Sequence, residues 1–478
     1  MNREPSSDAD AEADGAAAER ARRYAERVRA LPGDDAAPAF PPARPTARAD
    51  PVDAFATPAT APGPDVGALS DLRVATKDNV AVAGLAHRAG TGALDWRPDA
   101  DATVVERLRA AGAEFVGLTR MDPFALGVTG EACRAGRTAN PVADGVVPGG
   151  SSSGSAAAVA AGLADAAIGT DTGGSVRVPA AFCGVVGVKP TYDRVPRTGV
   201  LDLAPTLDHV GVLAGDAETA ARTLDAVSGG DPLRPATAAA TPTAAAAALD
   251  RPLGRLRVGV PEPFVDAAER RVAAAFERAV TDLAGRPGVT VERLAFPEHE
   301  WSGLVNQVHT LAEFAAVLDG GVGPLDGGRA RSMRAALPDD VADADVPPRV
   351  RRLVETGRAL GRGGDAYAEA WDARRRLIRR TRACFDRVDV LATPTTPMPA
   401  PAFGAVGDGE DASVTPGEVL ANTAAFNCTG TPAVSVPCGA ADGLPVGLQV
   451  VAPAGEDETA LRVARAVERS ETATANGE

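Results

Sequence analysis

Between Leu72 and about Gly230, short segments with β character alternate with helical segments. Two of these helical segments span residues 101–112 and 216–227. Alternation of strands and helices along a chain is typical of α/β layering, in which helices pack on a central sheet. The chain has 478 residues, 45% of them hydrophobic, which is enough to bury a large core as one α/β domain or two smaller ones.

The segments outside this region are predicted from composition and apolar spacing. Residues 1–66 are predicted to form an N-terminal helix, over about 11–31, and then an irregular arm rich in Pro, Ala and Asp. A low-complexity loop is predicted near 234–250, and helices predominate over about 296–388. Strands are predicted at 256–261, 388–392, 433–437 and 446–452. A last helix is predicted from about residue 457, before a disordered tail at 471–478.

Lys77 and Lys189 are the only two lysines in a chain that carries 49 basic residues. Arginine cannot lose its proton in a protein, whereas burial can lower the pKa of a lysine until it acts as a neutral base. Lys77 is therefore a candidate base. Lys189 lies in a Gly-x-Lys-Pro-Thr segment and is predicted to be a structural, hydrogen-bonding lysine.

A Gly/Ser tract at 149–155 is followed directly by the alanine-rich segment 156–162. That segment favours a helix closed by Gly162, so the serines are expected at a helix N-terminus. A second cluster, 171–175, has the sequence Asp-Thr-Gly-Gly-Ser. A lysine and two serine-bearing glycine turns are the parts of a serine hydrolase that uses no histidine.

Three other interpretations of the Gly/Ser tract fit less well. A flexible linker is the usual meaning of such composition, but linkers rarely run into a strong helix former. A phosphate-binding loop would need a Gly-Lys-Ser/Thr ending, which the tract lacks. The nucleophile elbow of the α/β-hydrolases needs Gly-x-Ser-x-Gly, and the sequence around Ser175 does not follow that order.

The chain resembles the amidase signature family. The motifs that carry the resemblance occur in family order, at 77–79, 149–155, 169–177, 179–184 and 187–191. The resemblance implies an α/β amidase-signature fold, with a central mixed β-sheet covered by helices on both faces. It also implies a catalytic domain over 67–470, in which the variable helical region at about 296–388 covers the substrate pocket.

The family's site residues carry over to matching positions of this chain. The resemblance implies a Ser-Ser-Lys triad in which Ser175 attacks the amide carbonyl, Ser151 shuttles protons and Lys77 is the base. It implies an oxyanion hole made by the backbone N–H groups of Thr172, Gly173 and Gly174. Structural support is expected from Ser152, Asp171 and Arg177. The Gly150–Ser151 peptide is expected to be cis, and His209 is expected to be scaffold.

The function predicted from these features is an amidase that hydrolyses a carboxylic acid amide to the acid and ammonia or an amine, through an acyl-serine intermediate. The alternative within the family is the glutamine-hydrolysing A subunit of a tRNA-dependent amidotransferase. Those subunits carry an aspartate at the position of Leu420, three residues before Thr423. This difference favours the amidase. A non-catalytic scaffold is a third alternative, disfavoured because all three triad positions are intact.

Charge and cysteine content limit the partners and the compartment. A net charge of −15 argues against nucleic acid as the main partner. The predicted partner is a small-molecule amide, with a homodimer possible and no membrane. Five widely spaced cysteines imply neither a disulfide framework nor a zinc site, so no metal and no cofactor are predicted. A cytoplasmic protein is predicted, and acidity with so few lysines resembles proteins of salt-loving archaea.

Overall fold

The computed structural model describes residues 19, 21–24, 26–27, 40–61, 64, 66–231, 233–234, 237, 240–319, 345–361, 364–409 and 411–475. Two compact units are present, Met1–Ala37 and Pro38–Glu478. In the first unit the described residues are helical. Most of the helix predicted at 11–31 lies outside the described residues.

Among the described residues, twelve strands form one mixed sheet. They are β1 (Arg44–Pro45), β2 (Phe55–Ala61), β3 (Arg73–Lys77), β4 (Glu114–Thr119), β5 (Ala166–Asp171), β6 (Val186–Lys189), β7 (His209–Ala214), β8 (Leu256–Pro261), β9 (Val289–Leu294), β10 (Val390–Pro394), β11 (Ala433–Ala441) and β12 (Leu444–Val451). The strand order is β1-β2-β4-β3-β5-β7-β6-β11-β12-β10-β8-β9. Strand β3 runs parallel to β4 and β5, and β8 runs parallel to β9 and β10. The other pairings are antiparallel.

The described α-helices connect and cover these strands. They are α1 (Thr103–Ala110), α2 (Ser153–Ala160), α3 (Arg177–Cys183), α4 (Ala217–Val227), α5 (Ala245–Ala248), α6 (Glu262–Asp266), α7 (Arg270–Ala284), α8 (His299–Leu318), α9 (Pro348–Leu360), α10 (Asp365–Phe385), α11 (Pro416–Leu420), α12 (Ala424–Thr429) and α13 (Asp457–Ala475). In α7, Val272, Phe276, Val280 and Leu283 are all buried. This spacing of three and four residues puts them on one face of the helix.

Helices cover both faces of the sheet, and β5 shows this directly. Ala166 and Ile168 belong to a core cluster that includes residues of α4, whereas Ala167 packs in another cluster with alanines of α2. Successive side chains of a strand point to opposite faces of the sheet. Therefore α2 and α4 lie on opposite faces, and the predicted α/β fold with a central mixed sheet is confirmed.

The segment predicted as an irregular arm instead supplies two strands. β2 pairs antiparallel with β4, and β1 pairs with β2 at the edge of the sheet. Phe55 is buried against Val116 and the alanines of α2, which anchors β2 although its sequence includes Pro58. Proline is tolerated near a sheet edge, where one side of a strand is lightly paired. The predicted loop at 234–250 contains the short helix α5, and α13 extends to Ala475 into the predicted tail, whose last three residues lie outside the described part.

Candidate active site

Lys77 is the last residue of β3, which runs parallel to its neighbour β5. The carboxyl ends of parallel strands meet at one edge of a sheet, so Lys77 lies beside Thr170 near the end of β5. Lys77 Nζ donates to Ser151 Oγ at 2.7 Å and to Thr170 Oγ1 at 2.9 Å. Lys77 and Ser151 are both completely buried. The structure therefore brings two of the three predicted triad residues into direct contact.

Burial lowers the pKa of Lys77 to about 7, because the ammonium loses its hydration inside the protein. The carboxylates of Asp122, Asp171 and Asp208 act in the opposite direction and raise this pKa, but they do not offset the burial. A substantial fraction of Lys77 is therefore neutral at neutral pH. A neutral amine can accept a proton from the Ser151 hydroxyl.

The Gly/Ser tract forms a tight loop that leads into α2. The Gly150–Ser151 peptide is cis, as the sequence predicted. The backbone N–H of Asp122 donates to the Ser151 carbonyl at 3.2 Å. Ser152 supports the loop, since its backbone N–H donates to the Ser175 carbonyl at 3.2 Å and its hydroxyl to the Thr170 carbonyl at 3.3 Å. These contacts join the Ser151 segment to the Ser175 segment.

Ser175 lines a cavity of 390 Å³, together with Thr172 and Gly173. Its hydroxyl makes no hydrogen bond with any residue that the structure describes, so Ser151 Oγ and Ser175 Oγ are not bonded here. The side chains of Ser151 and Lys77 are fully buried and have no access to solvent. In many hydrolases such contacts tighten only when the substrate is bound. Of the three predicted triad residues, only Ser175 is among the described residues that line this cavity.

The turn 172–174 is held through its carbonyl oxygens. Asn306 Nδ2 donates to the Thr172 carbonyl at 2.9 Å, and the Thr423 hydroxyl donates to the Gly173 carbonyl at 2.6 Å. The N–H groups of Thr172, Gly173 and Gly174 donate to no acceptor within the described part of the chain. Fixed carbonyls on one side leave these N–H groups available to a substrate oxyanion on the other side.

Asp171 and Arg177 form a buried ion pair at the base of this turn, and both side chains are fully inaccessible. Arg177 Nη2 and Nε lie 2.8 and 3.0 Å from the Asp171 carboxylate. Burial acts to raise the pKa of Asp171, but the charge and hydrogen bonds of Arg177, together with Lys189 and Asn427, outweigh it and hold this pKa well below its usual range. Arg177 also donates to Gln449 Oε1 at 2.7 Å and Asn427 Oδ1 at 2.6 Å. The pair therefore fixes the turn rather than facing the cavity.

Sequence reasoning missed four residues that support the site: Asn306, Thr423, Asp122 and Asp208. The hydroxyl of Thr172 donates to Asp208 Oδ1 at 2.6 Å, and burial raises the pKa of Asp208 to about 7. Asp122 accepts from the backbone N–H of Gly130 and lies against Gly150. No local pattern marks these residues, because each is brought to the site from a distant part of the chain.

Lys189 and His209 lie near the Asp171–Arg177 pair but outside the cavity. Lys189 Nζ donates to the backbone carbonyl of Thr431, and His209 Nδ1 lies 2.6 Å from the Leu207 carbonyl. Burial lowers the pKa of both groups well below their usual ranges. Their main-chain contacts agree with the structural roles predicted for them.

The cavity wall is mainly apolar or neutral. Among its described lining residues only Glu300 and Arg349 carry a charged side chain at neutral pH, since burial lowers the pKa of His299. Leu420 stands at the position where an aspartate would have indicated an amidotransferase A subunit. Its side chain lines the cavity next to the 172–174 turn.

The sequence model of the amidase family matches residues 39–461.

The chain belongs to the amidase family. The resemblance stated from the motifs is thereby confirmed. Enzymes of this family hydrolyse carbon–nitrogen amide bonds, and this chain is an amide hydrolase of that kind. Within the described part of the chain there is no group of three His, Cys, Asp or Glu side chains placed to hold a metal ion. In that part, too, every helix is too short or too polar to cross a membrane.

Several relatives carry the name of the A subunit of glutamyl-tRNA(Gln) amidotransferase. The protein from Natronomonas pharaonis is 42% identical over 430 residues, covering 87% of this chain and 99% of the relative. The protein from Halobacterium salinarum is 40% identical over 429 residues, covering 87% of this chain and all of the relative. The solved structure of the Thermotoga maritima protein of this name has a TM-score of 0.74 at 32% identity, with 87% of each chain covered.

A solved structure with another activity is also similar. The 6-aminohexanoate cyclic dimer hydrolase has a TM-score of 0.72 at 30% identity, covering 85% of this chain and 86% of that chain. The similar structures therefore include one named as a hydrolase and one named as an amidotransferase subunit.

The prediction of partners is contradicted by these relatives. It expected a small-molecule amide substrate, no nucleic acid as main partner, no membrane and a possible homodimer. The relatives are subunits of an enzyme named for a tRNA. The error has a physical cause, because the net charge of one chain does not report the charge of a whole assembly. Another subunit can carry the basic surface that a tRNA requires.

Proposed function

We propose that this chain is the glutamine-hydrolysing A subunit of a tRNA-dependent amidotransferase. The observation that carries this proposal is the 42% identity to the Natronomonas pharaonis protein over 99% of its length. The alternative considered from the sequence is thus preferred over the free-standing amidase. Solved structures do not separate the activities, since hydrolases with other activities are 30–33% identical to this chain and the Thermotoga maritima A subunit is 32% identical. The ammonia released from glutamine would be used to amidate an acyl group carried on tRNA.

The first half of the proposed reaction forms an acyl-enzyme. Neutral Lys77 takes a proton from the Ser151 hydroxyl, and Ser151 in turn takes the hydroxyl proton of Ser175. As that proton leaves, Ser175 Oγ attacks the amide carbon. The carbonyl oxygen becomes an oxyanion and accepts from the N–H groups of the 172–174 turn. The carbon–nitrogen bond then breaks, and the proton returns through Ser151 to the leaving nitrogen. Ammonia departs and the acyl group stays on Ser175.

The second half uses water by the same route. Ser151 and Lys77 remove a proton from a water molecule, which attacks the acyl carbon, and the proton is returned to Ser175 as the ester breaks. The net reaction is an amide and water giving an acid and ammonia. The 2.7 Å contact between Lys77 Nζ and Ser151 Oγ supports this relay. The buried position of both residues supports it too, since bulk water cannot compete for the proton.

A second candidate is a free-standing amidase for an apolar amide. Leu420 favours it, because the cavity presents an isobutyl group where the amidotransferase subunits carry an aspartate. Leu353 and Leu311 add to the apolar wall. Under this alternative the enzyme would prefer aliphatic amides over glutamine and would need no other subunit.

One measurement tests the nucleophile that both candidates share, and a second separates the candidates. Purified chain is first treated with a fluorophosphonate and mapped, and label on Ser175 that blocks turnover would support the nucleophile assignment. Label elsewhere, or activity in Ser175→Ala, would overturn it. Ammonia release is then compared for glutamine and hexanamide, with and without the other amidotransferase subunits of the same organism and glutamylated tRNA. Glutamine turnover coupled to amidation of the tRNA supports the amidotransferase role, and hexanamide turnover alone supports the free-standing amidase.

This proposal includes the cytoplasmic location predicted from the sequence, because charged tRNA is used in that compartment. It also includes adaptation to salt. Three of the similar proteins come from Natronomonas pharaonis, Halobacterium salinarum and Haloarcula marismortui, which are halophilic archaea. Their identity to an acidic chain with only two lysines supports a similar origin.

A further inference from the structure

Two charged side chains, Glu300 and Arg349, lie in the wall of the Ser175 cavity. The rest of the described wall is apolar or neutral, so the two charges stand out from their surroundings. A substrate held by apolar contact alone would need neither of them. Their positions therefore bear on which amide the cavity accepts.

Glu300 lies in the first turn of α8 and is exposed. Its carboxylate forms no ion pair and no side-chain hydrogen bond with any residue in the described ranges. The carboxylate is thus free to accept from a cationic group inside the cavity. Arg349, the other charged residue of the described wall, pairs with Asp408 and not with Glu300.

Arg349 lies in the first turn of α9 and is held in place. Its Nε donates to Asp408 Oδ2 at 2.6 Å and its Nη1 to the Leu126 carbonyl at 3.1 Å. These two contacts leave the Nη2 group without an acceptor among the described residues. A guanidinium that is anchored on one side is preorganised to bind a carboxylate on the other.

Close packing of α8 on α9 keeps the two first turns at the same end of the helix pair. Gly357 lies against the Leu311 carbonyl, where an added Cβ would be only 2.1 Å away. Further along both helices, Arg358 pairs with Asp319 at 2.7 Å. Arg349 and Leu353, which come earlier in α9, line the same cavity as Gly303 and Gln307, which come earlier in α8, so the two helices run side by side in the same direction. Glu300 and Arg349 are brought to one wall of the cavity by this packing.

We propose that Glu300 and Arg349 form a subsite for the charged end of an α-amino acid amide. Glu300 accepts from the α-ammonium group, and Arg349 donates to the α-carboxylate, while the side-chain amide reaches Ser175. This proposal rests on the proposed glutamine-hydrolysing function. It explains how a cavity with Leu420 in place of an acidic residue can recognise glutamine, because the carboxylate comes from a different helix.

Four amides with the same three-carbon chain attached to the amide carbonyl test the subsite. Glutamine carries both charges, 4-carbamoylbutanoate lacks the ammonium, 4-aminobutanamide lacks the carboxylate and butanamide lacks both. Values of kcat/KM are measured on the full chain, with its partner subunits where these are needed for turnover. The potassium chloride concentration is the lowest at which the protein stays folded, since salt screens charge interactions.

For Glu300→Gln, the ratio of kcat/KM for glutamine to that for 4-carbamoylbutanoate is expected to fall about tenfold or more. For Arg349→Gln, the ratio for glutamine to 4-aminobutanamide is expected to fall similarly. The matched controls are Glu355→Gln and Arg352→Gln, exposed residues of α9 outside the cavity wall. Both controls should keep the wild-type ratios.

Binding of glutamine to Ser175→Ala by calorimetry gives a second measurement that does not depend on turnover. Adding Glu300→Gln or Arg349→Gln should weaken this binding about tenfold or more. If wild type prefers glutamine and both variants keep its ratios and affinity, the subsite is wrong and the proposed function stands. If wild type favours butanamide and Ser175→Ala does not bind glutamine, the subsite and the glutamine function are both wrong.

Discussion

Thr423 holds Gly173 from the far end of the chain: its hydroxyl donates to the Gly173 carbonyl at 2.6 Å. The same side chain closes the space beside Gly174, where an added Cβ would lie 2.3 Å from Thr423 Oγ1. Gly174 also has φ of +147°, a conformation that favours glycine. The 172–174 turn, which is the proposed oxyanion hole, is therefore shaped by a residue about 250 positions away in the sequence.

Gly174→Ala is expected to lower kcat by about 10²- to 10³-fold, because the clash with Thr423 displaces the N–H groups that face the oxyanion. Ammonia release and melting temperature are measured together. The matched control is Gly162→Ala, where φ is +67° and no atom lies within 4 Å of the added Cβ. This control should cost about 1 kcal/mol of stability and leave kcat unchanged. Equal kcat losses in both variants would contradict the assignment of the turn.

Lys77→Arg is expected to reduce turnover by about 10²-fold or more while the protein stays folded. Arginine stays protonated and so cannot accept a proton from Ser151. Circular dichroism and the melting temperature show whether the fold is retained, and ammonia release measures the loss. Substantial activity with an unchanged pH profile would assign the base to another group, with His209 the first to test.

The pH profile of kcat/KM should report the buried lysine. Only neutral Lys77 accepts a proton, and burial lowers its pKa to about 7. The rate should therefore rise about tenfold per pH unit below pH 7 and level off above it. An ordinary lysine, with a pKa of 10.5, would let the rate keep rising to pH 10.

Asp208→Asn identifies the group responsible for that profile, because burial also raises the pKa of Asp208 to about 7. The Asp208 charge raises the pKa of Lys77, so its removal should move the rise in rate to lower pH. Disappearance of the rise would instead make Asp208 the titrating group.

Asp171→Asn should destabilise the protein by about 3–5 kcal/mol, because it leaves the Arg177 charge buried without its partner. Urea unfolding measures the change. Asp372→Asn, which breaks an exposed pair with Arg375, is the matched control and should cost at most about 1 kcal/mol. Similar costs for the two variants would mean that the buried pair does not support the turn.

Potassium chloride should raise the melting temperature. The chain carries a net charge of −15, and at about 1 M salt the Debye length is near 3 Å, so repulsion between surface carboxylates is screened. A melting series from low to high salt tests this. Equal or lower stability in high salt would argue against a halophilic origin.

The sequence alone predicted the fold class correctly and indicated which residues are candidates for the chemistry. The alternation of strands and helices predicted the α/β class, and the motifs around Lys77, Ser151 and Ser175 indicated an amide hydrolase. These signals are local, since a glycine turn before an alanine helix or a lone lysine among arginines is visible in a few residues. The charge of the chain misled the prediction of partners, because composition describes one chain and not its assembly.

The tertiary structure decided what each of these residues contacts. The parallel pairing of β3 and β5 puts Lys77 beside Thr170 and buries it, which lowers its pKa. Asn306 and Thr423 reach the oxyanion turn from helices and loops 134 and 250 residues away. Such contacts depend on the order of strands in the sheet and on how helices pack across it. No local pattern encodes them, because burial and long-range hydrogen bonding exist only once the whole chain has folded.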